Sequence, residues 1–160
     1  MSNSRDWIFL GAVFAGLSVV LGAFGAHGLE GPLQNLYAGQ TKNMTGFEVP
    51  ASFKYAQDFV TASRYQMSHA LGLILLGLVA GTNPTRCQRF AAWCFVLGIV
   101  LFSGSLYVLA VTGITRFGAI APIGGSLLIA GWVAFAIGAA RSKTTRFRNE
   151  ESSEAKPQTG

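Results

Sequence analysis

The residues best suited to chemistry in this chain are its two histidines, and each stands at the edge of an apolar run. His27 closes the first run in Gly22-Ala-Phe-Gly-Ala-His27-Gly-Leu29, and His69 opens the next in Tyr65-Gln-Met-Ser-His69-Ala-Leu71. If both runs cross a bilayer as helices joined by one loop, the two imidazoles share one side of the membrane. Two axial histidines suffice for a haem iron. A catalytic zinc takes three protein ligands, and no third histidine or intramembrane carboxylate completes that set. Cys87 and Cys94 lie seven apart at the start of one run, too distant on a helix to bridge each other. Cys94 reads as a small apolar packer and Cys87 as a thiol at the membrane interface. The sequence holds no catalytic triad, metal cluster or phosphate-cradling loop, so no catalytic residue, metal or cofactor is assigned.

The elements that position these residues follow from composition. Of 160 residues, 51% are hydrophobic and 12% charged, against roughly 25% charged in a soluble domain. Mean hydropathy is +0.42. The charges cluster, leaving four uncharged runs that each reach roughly the 20 residues a spanning helix needs. The expected fold is therefore an all-α membrane protein: a single domain over 1–140, with four transmembrane helices at about 7–27, 65–82, 90–114 and 117–140. Trp7 is expected at the interface with its indole N–H wet. The first run is too long for the apolar core of a secretory signal peptide, and more spans follow it.

Residues 28–64 read as a polar loop rich in turn signals. Within it, Phe53, Ala56, Val60 and Met67, with Phe59 beside them, share a helical face and predict a short amphipathic helix, Ser52–Ser63, lying at the interface. Residues 141–160 read as a disordered charged tail on the cytoplasmic side. The net charge of +5 belongs to basic residues flanking apolar runs, which fits membrane orientation and not nucleic acid. Eight Lys and Arg fall on the side of the termini and central loop, against Lys42, Lys54, Arg64 and Arg116 on the other, so both termini are expected in the cytoplasm.

Small residues recur at helical spacing in every run, as close helix packing requires. Gly22 and Gly25 lie on the first, Gly77 and Gly81 on the second, Gly98 on the third, and Gly124, Gly125 and Gly131 on the fourth. Following each run in its direction of travel, the polar residues His27, Tyr65, Gln66, His69, Ser103, Ser105 and Tyr107 gather in the outer half of the membrane. The inner halves read as apolar packing. The expectation is an outer cluster in which His27 and His69 meet or share partners, either as hydrogen-bonding glue between helices or as a ligand site.

The stretches Gly22–Leu29, Arg64-Tyr-Gln-Met-Ser-His-Ala-Leu71, Leu101-Phe-Ser-Gly-Ser-Leu-Tyr107 and Pro122-Ile-Gly-Gly125 with Gly131-Trp132 resemble, in order, motifs of the small YgdD/YwdK membrane-protein family, which includes transmembrane protein 256. The resemblance implies a multi-pass protein of the plasma membrane or bacterial inner membrane. It implies no activity, and it carries no catalytic residue across. The first loop around 34–49 and the charged tail are longer than the family pattern.

Two functions compete. The first is a non-enzymatic membrane protein that acts by packing with itself or with another membrane protein. The alternative is a small transporter or ligand-binding protein using the outer cluster. Against the alternative, none of the four predicted spans contains Asp, Glu, Lys or Arg, which coupled transport pathways usually need.

Overall fold

The computed structural model describes residues 3–154. Helix α1 is Ser4–His27, started by the Asn3 side chain accepting from the Arg5 backbone N–H. A helix of about two turns, α2 (Glu30–Leu36), follows. Strands β1 (Thr41–Met44) and β2 (Phe47–Pro50) then form an antiparallel hairpin with Thr41 opposite Pro50 and Met44 opposite Phe47. Thr45 and Gly46 both take positive φ at its tip, the conformation a two-residue hairpin loop demands. This hairpin departs from the all-α expectation.

Helix α3 runs unbroken over Ala51–Ala80. Where the sequence predicts an amphipathic helix lying separately before the second span, the structure continues one helix through both. Its buried stripe shares Phe59 with the expected face but is otherwise shifted: Tyr55, Phe59, Ala62, Ser63, Gln66 and His69 face inward, Ala56, Val60 and Met67 are half-buried, and Phe53 is exposed. Helix α4 is Arg86–Ile99, opened by a reciprocal capping box in which Thr85 and Gln88 bond each other's backbone N–H. A wide π turn, Val100–Gly104, leads into α5 (Ser105–Thr112). Gly113 ends α5 with φ +70. A short 3-10 turn, Thr115–Ala119, precedes α6, Ala121–Glu154. The expected disordered tail begins at 141, the backbone stays helical to Glu154, and 155–160 lie outside the described residues.

By length and composition, Ser4–His27, Arg86–Thr112 and Thr115–Ala140 are long and apolar enough to cross a membrane. Helix α3 is not among these three, because Arg64, Gln66 and His69 dilute its apolar half. It is nevertheless the central element. It packs on α1, on both halves of the α4–α5 rod, on α2, on the hairpin and on α6.

Glycines set the approach of the helices. A Cβ on Gly22 would sit 2.9 Å from Ser63 Oγ, one on Gly25 would sit 2.9 Å from Phe59, and one on Gly77 would sit 2.8 Å from the Ser4 carbonyl. Those contacts hold α1 antiparallel to α3. On the other side, Gly98 faces Leu128, Gly131 faces Phe95, and Gly124 lies against the backbone of Leu101 and Phe102. Gly125 makes only ordinary contact with Phe102. Gly81 packs against nothing within 4 Å; its φ of +57 ends α3, and its carbonyl accepts from Ser4 Oγ.

Two apolar clusters result. One joins Leu29, Leu33, Tyr37, Tyr55 and Phe59 to Leu106 and Leu109. The other joins Trp7, Leu73, Leu76, Phe95, Ile99 and Leu128. Trp7 is thus wholly buried rather than interfacial, and its Nε1 has no partner among the described residues. Gln88, also buried, in the capping turn that opens α4, has no partner for its Nε2 among the described residues.

Gly124 against backbone leaves no room for adjustment, and overpacking typically costs about 1–3 kcal/mol. Gly124→Ala should lower the thermal midpoint in detergent clearly, with Gly125→Ala close to neutral. Equal midpoints for the two variants would show that the α4–α6 approach does not depend on that contact.

Candidate functional site

Between the two apolar clusters lies a belt of polar side chains, built outward from α3. Ser63 Oγ donates to the Ser18 carbonyl of α1 at 3.1 Å. One turn on, Gln66 Nε2 donates to the Phe14 carbonyl of α1 at 2.9 Å, while its Oε1 accepts from the Tyr107 hydroxyl at 3.1 Å. Ser103 Oγ donates to the Ala62 carbonyl at 2.8 Å. A helical carbonyl carries two lone pairs, one of them used inside the helix. The side chains take the other, so no helical bond is broken to satisfy them.

Local geometry explains each placement. Buried positions Phe95, Ile99 and Ser103 advance by four, overshooting the helical repeat of about 3.6 residues; the wide π turn takes up the excess and keeps Ser103 facing α3. Tyr107 sits beside Phe59, with ring centroids 4.7 Å apart. Its side chain leans toward the start of its own helix, and so reaches deeper to Gln66. Ser105 turns back onto the Phe102 carbonyl and joins no other helix.

His69 is buried, 8% exposed. Its Nδ1 lies 2.7 Å from the Tyr65 carbonyl; a carbonyl only accepts, so Nδ1 carries the proton. The imidazole stacks on Tyr65 with centroids 5.8 Å apart, and is flanked by Phe95 at 6.0 Å and Trp132 at 6.1 Å. It therefore faces α4 and α6, away from α1. Tyr65 itself is half exposed and packs on Phe102.

His27 joins none of this. It is exposed at the end of α1. Gly25 lies beside Phe59 and Phe14 beside Gln66, so His27 is level with the second turn of α3 and His69 is about twelve residues deeper, roughly 18 Å along the axis. The predicted meeting of the two histidines does not occur, because α3 begins at Ala51 and carries His69 inward. The same register brings Gln66 abreast of the middle of α1, deeper than an outer cluster.

Sequence reasoning missed two further positions. Tyr37, in α2, donates to the Ala110 carbonyl at 3.0 Å and packs on Tyr55, 4.5 Å between rings. Burial, with Tyr55 beside it, pushes the Tyr37 hydroxyl above its ordinary pKa, which keeps it a donor. Arg64, taken as loop, lies one residue from the Ser63–Ser18 contact and so within the depth of α1. Only the true start of α3 reveals it.

Chemically, the belt positions and satisfies; it presents no nucleophile with a base. No group of three or more His, Cys, Asp or Glu that could hold a metal occurs among the described residues.

The family described as "Protein of unknown function (DUF423)" matches residues 21–125. A UPF0382 membrane protein of Staphylococcus haemolyticus is 46% identical over 127 residues, covering 79% of this chain and 88% of that protein. One from Staphylococcus epidermidis is 43% identical, covering 83% and 93%, and UPF0382 membrane protein YwdK of Bacillus subtilis is 40% identical, covering 86% and 98%. No solved structure matches.

The two histidines should therefore act independently. His27→Ala should leave stability unchanged and His69→Ala should lower it, with the double variant additive within about 0.5 kcal/mol. Gln66→Leu with Tyr107→Phe should instead show coupling of about 0.6–1.7 kcal/mol. Thermal unfolding in detergent measures both cycles; coupled histidines with an uncoupled Gln66–Tyr107 pair would contradict the geometry.

Proposed function

The chain belongs to the DUF423 family, whose members are membrane proteins of unknown function, and on that premise we propose that it is a non-enzymatic helix-packing protein. It crosses the plasma membrane or bacterial inner membrane four times, with both termini cytoplasmic, and associates through helix α1 with a second copy or another membrane protein. The observation that carries this reading is the polar belt. Ser63, Gln66, Ser103 and Tyr107 end on helix carbonyls or on each other, so these four side chains are spent on packing.

Four spans follow if α3 crosses beside α1. Its length of 30 residues exceeds the roughly 20 a span requires, and Ser63, Gln66 and His69 are turned inward while Leu71, Leu75, Leu78 and Val79 face outward. The eight-to-four distribution of Lys and Arg supports the orientation. For association, α1 packs on one side only. Its opposite side shows Phe9, Val13 and Val20 to the outside, and Gly16 between them has nothing within 4 Å. Such a notch among larger side chains is the shape that admits a neighbouring helix closely. The carrier reading is not favoured, since the belt has no titratable relay and its polar atoms are engaged.

Fusion reporters at residue 160 and within 34–49 should report opposite sides, the former cytoplasmic; the same side for both would end the four-span reading. Native mass spectrometry from mild detergent should show a dimer or a co-purified protein, lost in Gly16→Leu at unchanged thermal midpoint. A monomer throughout, identical in Gly16→Leu, would refute association through α1.

A further inference from the structure

We infer that Arg64 and the groove beside it between α1 and α3 bind one anionic phospholipid, with its phosphate on the guanidinium and an acyl chain along the seam. The inference rests on the four-span reading, in which α3 crosses beside α1.

Depth comes first. Ser63 contacts Ser18 and Gly22, so Arg64 is level with residues five to nine short of His27, roughly 8–14 Å inside the end of α1. The residues of α1 at that level, Val19, Val20 and Ala23, are exposed and apolar. A cation held there is costly unless it reaches water or meets an anion. Among the described residues Arg64 makes no ion pair; the pair that does form on α3 is Lys54 with Asp58, at 2.6 Å, nearer the hairpin. Arg64 is exposed, unlike its buried neighbour Ser63 in the belt.

Shape comes second. Arg64 borders a cavity of about 540 Å³ lined also by Ser18, Gly22, Ala23, Ser63 and Met67. The groove exists because these α1 residues are small, and its serine hydroxyls are already engaged: Ser18 donates to the Ala15 carbonyl of its own helix, Ser63 to the Ser18 carbonyl across the contact, and Ser68 to the Arg64 carbonyl. What remains is an apolar trough with a single positive charge on its wall. Because side chains lean toward the start of their helix, Arg64 extends outward along the trough, toward the headgroup level. A planar guanidinium takes a phosphate by two parallel N–H···O bonds, and the charge left unpaired by the protein is neutralised by the headgroup. An acyl chain beside Val19, Ala23 and Met67 fills the trough.

The test uses the full chain in nanodiscs holding equal amounts of phosphatidylglycerol and phosphatidylcholine, transferred to mild detergent for native mass spectrometry. The unaltered protein should retain one phosphatidylglycerol in preference to phosphatidylcholine. Arg64→Gln should cut that retention about tenfold, as loss of charge-assisted bonds predicts, and Arg64→Lys should restore part of it. Ala23→Trp, which fills the trough and leaves Arg64 in place, should also lose the lipid, with an unchanged thermal midpoint showing that the bundle is intact. Equal retention of the two lipids, or retention unaffected by Arg64→Gln, overturns the inference. A membrane-impermeant maleimide distinguishes the failures. Arg64→Cys should resist labelling in the bilayer while Thr45→Cys reacts. Equal reaction at both positions removes the depth argument together with the span, whereas resistance without lipid preference leaves the span standing and removes the lipid.

Discussion

Hydrocarbon offers no hydrogen-bond partner, so each polar group carried into a bilayer must find one within the protein. This constraint organises the structure around α3. Gln66 is the clearest case: its amide nitrogen is held by Phe14 of α1 and its amide oxygen by Tyr107 of α5. One side chain thereby fixes the height of three helices relative to each other. Ser63 and Ser103 repeat the device on either side, each against a carbonyl of a neighbouring helix. Individual bonds of this kind contribute little, about 0.6 kcal/mol on average in one well-studied bundle. Their effect is on register, since a shift by one residue would leave an amide unpaired in an apolar setting.

Packing is consistent with that register. Glycine stands where helices approach most closely, at Gly22 and Gly25 on α1, Gly77 on α3 and Gly124 on α6. Larger side chains fill the clusters above and below the belt. The π turn has its place in the same scheme: it lies where Gly124 touches backbone and where Ser103 must reach Ala62. Strict α geometry would rotate one of those contacts off its partner.

The membrane class and the family were legible in the sequence, the first from the clustering of charge and the second from ordered motifs such as Arg64-Tyr-Gln-Met-Ser-His-Ala-Leu71. The continuity of α3 was not. Lys54, Gln57 and Asp58 make 52–63 read as a separate interfacial helix, and the polar Arg64, Gln66 and His69 hide its continuation into the run that follows. That single boundary had a large effect on the site. With 51–80 forming one helix, His69 moves to the level of mid-α1 and parts from His27, Gln66 replaces the histidines as the joining residue, and Arg64 passes from a loop to a helix beside α1. Trp7 was misplaced for a related reason: an aromatic at the end of a run looks interfacial until a neighbouring helix is known to cover it.

The pairing of helices bears on how the protein is made. Helix α1 packs chiefly on α3, and α4 chiefly on α6, so the chain consists of two consecutive helical hairpins. The first, with its Ser63–Ser18 and Gln66–Phe14 bonds, can close as soon as residue 80 has left the ribosome, since domains form from the N-terminus during synthesis. The Ser103, Tyr107 and Tyr37–Ala110 bonds need both hairpins, as do the contacts of His69 with Phe95 and Trp132 and the cluster that joins Trp7 and Leu73 to Phe95. The connection from Gly81 to Thr85 carries none of this packing. The protein is in effect two helical hairpins that dock on each other through α3, and its two halves expressed as separate chains retain the contacts by which they recognise each other.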